Sequence, residues 1–228
     1  GHARNYWTYR MVLRPWLWLL SRNNDCQIFQ NQTTLEIAYS LFKGVSSDVK
    51  DQLQYALQPR EYCVQYHESD LKFLMRLLEE DGIYFYFKHQ LNMHTLMLVD
   101  SINAHEIVPK YETIDFRSFD SEGDKPSVSF ASWQSSKRVL PGAVALNDYD
   151  FTKPSAYLVA GSSKPQEHKH AELEVYDYPA GYAEAAVGQD RARTRMEAIT
   201  AGYETAHGKT DAIGLYAGSL FTLGKHRR

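Results

Sequence analysis

The stretch GYETAHGKT at positions 202–210 contains the residue types of a phosphate-binding loop. Such a loop has four residues between its first glycine and the Gly-Lys-Thr, and it connects a strand to a helix, so that backbone amides converge on a phosphate. Here five residues separate Gly202 from Gly208, and the segment before them is predicted to be helical. We therefore expect a polar loop after a helix, without tight ATP binding.

Two histidines in the sequence HKH, His168 and His170, are metal-ligand candidates, because imidazole is a common zinc ligand. They point the same way only in a strand, whereas the polar segment 161–170 is predicted to be a loop. The two cysteines, Cys26 and Cys63, provide no C-x-x-C pair that would complete a zinc site. We expect exposed loop histidines and no tightly bound zinc.

Patterns for acid–base or nucleophilic chemistry are equally weak. Residues 79–81, Glu-Glu-Asp, end a predicted helix, where adjacent carboxylates most often form a solvated face. Ser-x-x-Lys spacing occurs at Ser40 and at Ser47, but such short patterns of common residues arise by chance. The sequence contains no G-x-S-x-G elbow. It therefore predicts neither an active site nor a cofactor.

The composition of the 228 residues favours protein partners over nucleic acid. The net charge is −3, which leaves no basic footprint for nucleic acid or for an anionic membrane. Aromatic residues make up 13% of the chain and include 16 tyrosines, a content typical of β structure and of protein contacts. Two cysteines without a motif make a disulfide framework unexpected.

The most apolar run, MVLRPWLWLL at positions 11–20, includes Arg14 and Pro15. A membrane span needs about 20 apolar residues, so residues 6–20 are predicted to form one long or two short core strands. No signal peptide is recognised, and the initial GHARN is interpreted as a tag remnant. We expect the chain to be a fragment of a longer protein.

The segment YHESDLKFLMRLLEEDGIYFYF at positions 66–87 contains the sharpest structural signals. Ser69 is a predicted helix N-cap, and Asp70 suits the positive end of the helix dipole. Gly82 stands where a left-handed residue ends the helix. Residues 83–87 are β-branched or aromatic, which predicts a strand covered on both faces. The apolar face of the helix is predicted to consist of Leu71, Leu74, Met75 and Leu78, widened by Phe73 and Leu77.

Other elements of the first half follow from the same rules. A strand at 62–66 places Tyr62, Val64 and Tyr66 on one face. Residues 83–87 are predicted to form a hairpin with residues 94–100. Upstream, a short strand at 26–30 precedes a helix that Thr33 or Thr34 caps and Gly44 closes, with Leu35, Ala38, Leu41 and Phe42 on its apolar face. Residues 46–58 are ambiguous between a short helix and a strand.

The second half is predicted to be mainly strands after a loop or hinge at 118–127. Strands are expected at 128–140, 143–151, 155–161, 174–182 and 215–223, separated by Pro and Gly signals. A helix at 184–207 carries Met196, Ile199 and Tyr203 on one face. The predicted fold class is mainly β with a few capping helices, a β-rich α+β arrangement.

Residues 60–87, REYCVQYHESDLKFLMRLLEEDGIYFYF, resemble the most recognisable segment of the VgrG family, the spike proteins of the bacterial type VI secretion system. We call these residues the central motif. The matching positions are Tyr62, Val64, Gln65, Tyr66, Ser69, Asp70, Leu74, Leu78, Gly82, Tyr84 and Tyr86. A second signature is matched by EVYDYPAGY, with Tyr176, Tyr178 and Pro179, followed by RARTRMEA. Further segments agree in order, namely LRPWLWLL, IFQNQT, HTLMLVD and AGSLFTLGKH, so the resemblance covers nearly the whole chain.

This resemblance implies the tandem β-barrel architecture of a contractile-phage tail hub, in which the motif residues are architecture rather than chemistry. Residues 1–32 would then be the remainder of a first β-barrel domain. Residues 33–117 would form a helix-containing connecting region and the first strands of the second barrel. Residues 118–228 would form the rest of the hub region, with the second β-barrel and a long helix.

The resemblance also implies a structural protein that is not an enzyme. Its full-length form would be a homotrimer that sits on a hexameric tube protein and carries secreted effectors, with no cofactor, metal, nucleic acid or membrane span. It would be assembled in the bacterial cytoplasm and secreted by the type VI system without a signal peptide. A phage or phage-like baseplate hub is the near alternative. A β-rich carbohydrate-active enzyme or binding module is the alternative of another class, and only the aromatic content supports it.

Overall fold

The structure, a computed structural model, describes residue 7, residues 9–117 and residues 128–226. The predicted loop or hinge at 118–127 lies outside these residues. The first half contains a 3₁₀ helix (Trp16–Arg22), β1 (Asn24–Phe29), α1 (Thr34–Phe42), β2 (Val49–Gln52), β3 (Cys63–Ser69), α2 (Asp70–Glu80), β4 (Tyr84–Gln90) and β5 (Met93–Val99). The second half contains a 3₁₀ helix (Ile102–Ala104), β6 (Glu106–Ile107), β7 (Thr113–Phe116), β8 (Ser129–Lys137), β9 (Ala143–Leu146), β10 (Ala160–Ser163), β11 (Glu174–Asp177), α3 (Ala185–Ala201), β12 (Glu204–Thr210), β13 (Ser219–Leu220) and β14 (Thr222–Gly224).

Within the described residues, the strands form five open sheets. Their strand orders are β1-β3, β2-β5-β4, β10-β9-β11, β12-β8-β7-β14 and β13-β6. In the same described part of the chain, α2 packs on β3, α3 packs on β9 and β10, and α1 packs on α2, which agrees with the predicted mainly β class. None of these sheets closes on itself, so the tandem barrels are not confirmed. The domain boundaries given above stay a prediction.

The largest core lies in the first half, between α1, α2 and the neighbouring strands. Fifteen buried residues form it: Leu17, Leu20, Phe29, Ile37, Ala38, Leu41, Phe42, Cys63, Phe73, Leu74, Leu77, Leu78, Ile83, Leu96 and Leu98. The β4–β5 hairpin is antiparallel from Tyr84↔Val99 to Gln90↔Met93, as predicted. Phe85 and Phe87 pack against this core, while Tyr86 on the other face joins a second cluster with Met97 and Val99. The strand is therefore covered on both faces.

Local capping explains why α1 begins and ends where it does. The Thr33 side chain accepts from the Glu36 amide at 3.3 Å, and the Glu36 carboxylate accepts from the Thr33 amide at 2.7 Å. This reciprocal capping box satisfies two amides that the helix leaves free. Gly44, with φ of +86°, takes the left-handed conformation that follows the helix. The predicted helix is confirmed, with Thr33 as its cap.

Two smaller cores organise the second half. Residues of α3, including Ala192 and Met196, pack against Val144 and Leu146 of β9 and against Tyr182. A separate cluster contains Ile114, Phe130 and Ala212 beside the four-stranded sheet. Strand β10 begins only at Ala160 and ends at Ser163. The predicted strand at 155–161 and the predicted loop at 161–170 are therefore each correct only in part.

The prediction of core strands at residues 6–20 is wrong for the described residues. Trp16–Arg22 is a 3₁₀ helix, in which Leu17 and Leu20 are buried three residues apart. Residues 9–15 have no regular structure, and Met11 and Leu13 are exposed. Proline at position 15 fixes φ and suits the residue before a helical turn, a constraint that apolar content alone does not reveal.

The segment GYETAHGKT is also different from the prediction, because most of it is strand β12. It pairs antiparallel with β8 from Glu204↔Lys137 to Thr210↔Phe130. The strand partner lies far away in sequence, and the polar composition of β12 gives no local β signal. Helix α3 accordingly ends at Ala201, earlier than predicted.

Candidate functional site

A buried polar contact fixes the start of α2 in the central motif. The Asp70 side chain, 7% exposed, accepts hydrogen bonds from Gln65 Nε2 and Asn23 Nδ2, both at 2.8 Å. Ser69 Oγ accepts from the Lys72 amide at 3.2 Å, so Ser69 is the N-cap, as predicted. Both Asp70 oxygens are engaged by amide donors, which suits a structural carboxylate rather than an acid or base.

The end of α2 is a Schellman turn built on Gly82. Gly82 has φ of +70°, its amide donates to the Glu79 carbonyl at 3.2 Å, and the Ile83 amide donates to the Leu78 carbonyl at 2.8 Å. These are the two bonds that define the motif. A Cβ at Gly82 would lie 2.8 Å from Thr194 Cγ2 of α3. The predicted helix end is confirmed, and the glycine also allows two helices to approach closely.

The buried face of α2 differs in part from the predicted stripe. Leu74 and Leu78 are buried as predicted, and the face is completed by Phe73 and Leu77. Met75, by contrast, is 43% exposed. The predicted face was centred one residue too far towards Leu71 and Met75, because both sets have helical spacing and the sequence does not show where the helix is covered.

The carboxylates at the C-terminus of α2 are not a simple solvated face. Arg60 Nη2 lies 2.9 Å from Asp81 Oδ1, Arg60 Nη1 donates to Glu80, and Arg60 Nε donates to Thr34 Oγ1 at 3.2 Å. Burial opposes the charge on Arg60, but Asp81 and Glu80 outweigh it and raise the pKa of the guanidinium. Glu79 remains exposed. The solvated-face prediction is therefore wrong for two of the three carboxylates, and no local signal pointed to Arg60.

The tyrosines of β4 contact a histidine that the sequence did not single out. The Tyr84 hydroxyl lies 2.8 Å from His105 Nε2, and His105 Nδ1 lies 2.8 Å from the Gly218 carbonyl oxygen. Gly218 has φ of +90°, and a Cβ there would lie 2.6 Å from the Tyr86 ring. Burial raises the pKa of both tyrosines. This contact attaches the C-terminal strands to the hairpin.

The remaining motif positions, on β3 and directly before it, form an exposed face. Tyr62 and Tyr66 are 59% and 71% exposed, and Val64 is half-buried opposite the exposed Ile28 of β1. Tyr62, directly before β3, is exposed like Tyr66, and Val64 alternates with the buried Cys63 and Gln65, so these three residues share one face, as predicted. The opposite face of β3 carries Cys63 and Gln65 towards the core.

The second signature combines exposed tyrosines with a tightly held turn. Tyr176 and Tyr178 are exposed, and the peptide bond before Pro179 is cis. Asp148 Oδ2 accepts from the amides of Gly181 and Tyr182, the latter at 3.1 Å. Sequence reasoning missed Asp148, because its partners lie more than thirty residues away.

The candidate chemical residues are not brought together. The amides of Gly208 and Lys209 lie in the β8–β12 ladder and do not form a phosphate loop. His168 Nε2 accepts from the Leu140 amide, while His170 lies 3.8 Å from Glu172. Within the described ranges no group of three or more histidine, cysteine or acidic residues is arranged to hold a metal ion. In the same part of the chain, no helix has the length and apolar content needed to cross a membrane.

An open pocket of about 270 Å³ lies at the β1–β3 ribbon, lined by Asn24, Asp25, Cys26 and His67. Cys26 Sγ accepts from the His67 amide at 3.4 Å. A hydrogen bond from Gln27, with a second from the Cys26 amide, lowers the pKa of Asp25. Its carboxylate is already satisfied by these neighbours, so the pocket presents no converging set of catalytic groups.

Comparison with known proteins assigns the fold. The family model of the phage tail baseplate hub (GPD) matches residues 1–228. This chain belongs to the phage tail baseplate hub family. It is 39% identical over 222 residues to the type VI secretion system spike protein VgrG1b of Pseudomonas aeruginosa strain PAO1, an alignment that covers 97% of this chain and 30% of that protein. The chain thus spans less than a third of this relative, and the predicted resemblance to the VgrG family is confirmed.

Two solved structures share the fold of this baseplate hub family member. The E. coli c3393 protein, a type VI secretion component similar in structure to the T4 bacteriophage tail proteins gp27 and gp5, matches with a TM-score of 0.60 at 19% identity, covering 92% of this chain and 43% of that one. The 43 kDa tail protein of prophage MuSo2 from Shewanella oneidensis matches with a TM-score of 0.56 at 10% identity, covering 86% and 57%. At these identities the likeness supports the fold alone.

Proposed function

We propose that this chain is the hub part of a type VI secretion spike and acts mechanically, without catalysis. The observation that carries the proposal is the 39% identity to a spike protein along 97% of the chain. The side chains of the central motif support it, because Asp70, Arg60 and Gly82 are committed to helix ends and to contacts between elements. A catalytic site needs groups that remain free for a substrate.

In this function, three full-length chains form a ring-like hub that sits on the hexameric tube and is ejected with it. The protein is assembled in the cytoplasm and leaves through the type VI system without a signal peptide, with effectors attached to the whole protein. Exposed tyrosines are suited to such assembly, because Tyr is enriched in protein interfaces. The interface candidates are Tyr62 and Tyr66, at β3, and Tyr176 and Tyr178, at β11.

The test is assembly of the full-length protein. Light scattering across a dilution series should give the mass of a trimer at micromolar concentration, and a pull-down should retain the tube protein of the secretion system. The variant Tyr62→Ser/Tyr66→Ser should weaken either trimer formation or binding of the tube protein. Its melting curve should stay unchanged, because both side chains are exposed. A full-length protein that stays monomeric and does not bind the tube protein would exclude this function.

A phage or phage-like baseplate hub is the second candidate. The family is described as a phage baseplate hub, and a prophage tail protein shares the fold. The two functions predict different partners for the same surface. Retention of a phage tail-tube protein, with no retention of the secretion tube protein, would favour this second candidate.

A further inference from the structure

The 3₁₀ helix at Trp16–Arg22 begins without a local cap. Pro15 precedes it and provides no side-chain hydrogen bond to the first turn. The Trp16 amide instead donates to His94 Nε2 of β5 at 3.2 Å, across 78 positions of sequence. The Trp16 ring packs edge-on against Phe42, 5.2 Å between centroids, at the margin of the main core. One imidazole nitrogen therefore attaches the start of this helix to the β4–β5 hairpin.

This hydrogen bond exists only while the imidazole is neutral. A neutral ring has one acceptor nitrogen, whereas a protonated ring has two N–H donors and no acceptor. A backbone amide is a donor and cannot reverse its role. Protonation of His94 would therefore replace a hydrogen bond with two opposed N–H groups, one of them on a cation.

The rings nearest to His94 are those of Phe87 and His89. From β4, Phe87 packs on the ring at 5.5 Å, and His89, a second titratable group, stacks on it at 5.7 Å. Lys88 of β4 is paired with Glu106, and before the helix Arg14 lies over the Trp18 ring. Before β2, Asp48 contributes its carbonyl oxygen to the Leu96 amide. In the described part of the chain, no carboxylate forms an ion pair with His94.

His105 provides the contrast within the same molecule. Its two nitrogens face the Tyr84 hydroxyl and the Gly218 carbonyl oxygen. A hydroxyl can donate or accept, and a carbonyl accepts, so these partners suit both the neutral and the protonated ring. Two half-buried histidines thus differ in what protonation does to their contacts.

We propose that His94 is a proton-sensitive tether: its neutral ring holds the start of the 3₁₀ helix on β5, and its protonation releases that attachment. The release is local, because Leu17 and Leu20 keep the rest of the helix in the core. The tether is independent of the function proposed above.

Hydrogen exchange of the Trp16 amide in the full chain tests this tether. After correction for intrinsic exchange, the protection factor should fall about tenfold from about pH 7.5 to about pH 5.5, because a half-buried donor loses its partner. In His94→Gln, whose amide oxygen accepts but does not titrate, the factor should stay constant within about twofold. His105→Gln is the matched control and should retain the full fall of the wild-type protein.

A second measurement does not depend on any variant. In the wild-type protein, the Trp16 amide nitrogen shift and the His94 ring nitrogen shifts should follow one common pH midpoint. Protection of Trp16 that is equal at both pH values, an equal fall in His94→Gln, or a Trp16 shift that does not follow the His94 midpoint would each overturn the tether.

Discussion

The two longest helices among the described residues are bounded in different ways. Helix α2 has a side-chain cap at Ser69 and a Schellman turn at Gly82, and it buries Phe73, Leu74, Leu77 and Leu78. Helix α3 follows Glu184, which forms no side-chain cap, and it buries Gly188, Ala192 and Met196. Contacts from outside position its first half: the Tyr182 ring fills the space beside Gly188, and Arg191 donates to the Ala180 and Gly181 carbonyls.

This difference shows two ways to specify a helix. The ends of α2 are determined by residues within one turn, whereas the place of α3 depends on side-chain contacts with the turn that precedes it and on the sheet of β9 and β10. The hydrophobic cores of the two helices also differ. Among the described residues, the cluster that contains the α2 side chains has fifteen buried residues, whereas the cluster around α3 has seven. Substitutions should therefore act through capping in α2 and through contacts with the preceding turn and the sheet in α3.

The largest effect is expected for Phe73→Ala. Phe73 is fully buried, stacks on Phe29 at 5.5 Å, and its removal leaves a cavity in the main core. The expected loss is about 3–5 kcal/mol of unfolding free energy, measured by denaturant unfolding. Met75→Ala in the same helix is the control and should change stability by less than about 0.5 kcal/mol, because Met75 is exposed. A large loss of stability at Met75 would instead support the face predicted from the sequence, with Leu71 and Met75 buried.

The second prediction concerns Gly82, where the two helices meet. Gly82→Val should lower stability by about 1–3 kcal/mol, because a β-branched residue is strained at positive φ. The melting midpoint should fall by about 2–4 °C for each kcal/mol. Gly82→Ala combined with Thr194→Ser removes the methyl group that a new Cβ would meet and leaves the backbone strain. If that double variant recovers the full wild-type stability, crowding by Thr194 of α3 causes the loss and backbone strain at position 82 does not.

The sequence predicted best what is encoded within a few residues. Ser69, Gly82 and the Thr33 cap were identified because a capping side chain and its amide lie within one turn. The sequence identifies Gln65 and Asp70 as motif positions, but it does not predict the hydrogen bond between them. Arg60, His105 and Asp148 escaped prediction because their partners are distant in sequence and their own neighbours carry no pattern.

The errors have a physical cause of the same kind. Strand β12 is polar and exists because β8 provides its ladder. The 3₁₀ helix at Trp16–Arg22 sits in a run whose apolar content equally suits a strand. Pairing partners, and the side from which a helix is covered, are tertiary information that local periodicity does not contain.

A third prediction compares two buried or half-buried carboxylates. Asp70→Asn should lower stability by about 1–3 kcal/mol, because the new amide brings an N–H group against the amide donors of Gln65 or Asn23. Asp148→Asn should lower it less, since Asp148 is only half-buried and water can reach the displaced partners. Urea unfolding of both variants measures the difference. A larger loss at Asp148 would mean that the turn before α3, rather than the start of α2, is the more critical polar contact.

The smallest predicted effect isolates capping itself. Ser69→Ala removes the acceptor of the Lys72 amide and should lower stability by about 1 kcal/mol, whereas Ser69→Asp keeps an acceptor and should stay near the wild-type value. Glu184→Ala, at the equivalent position of α3, should change stability by less than about 0.5 kcal/mol, because that side chain forms no cap hydrogen bond. Calorimetric midpoints of the three variants at one protein concentration measure this difference. Equal losses at Ser69 and Glu184 would mean that α3 is also bounded locally, and the contrast between the two helices would then lie in their cores alone.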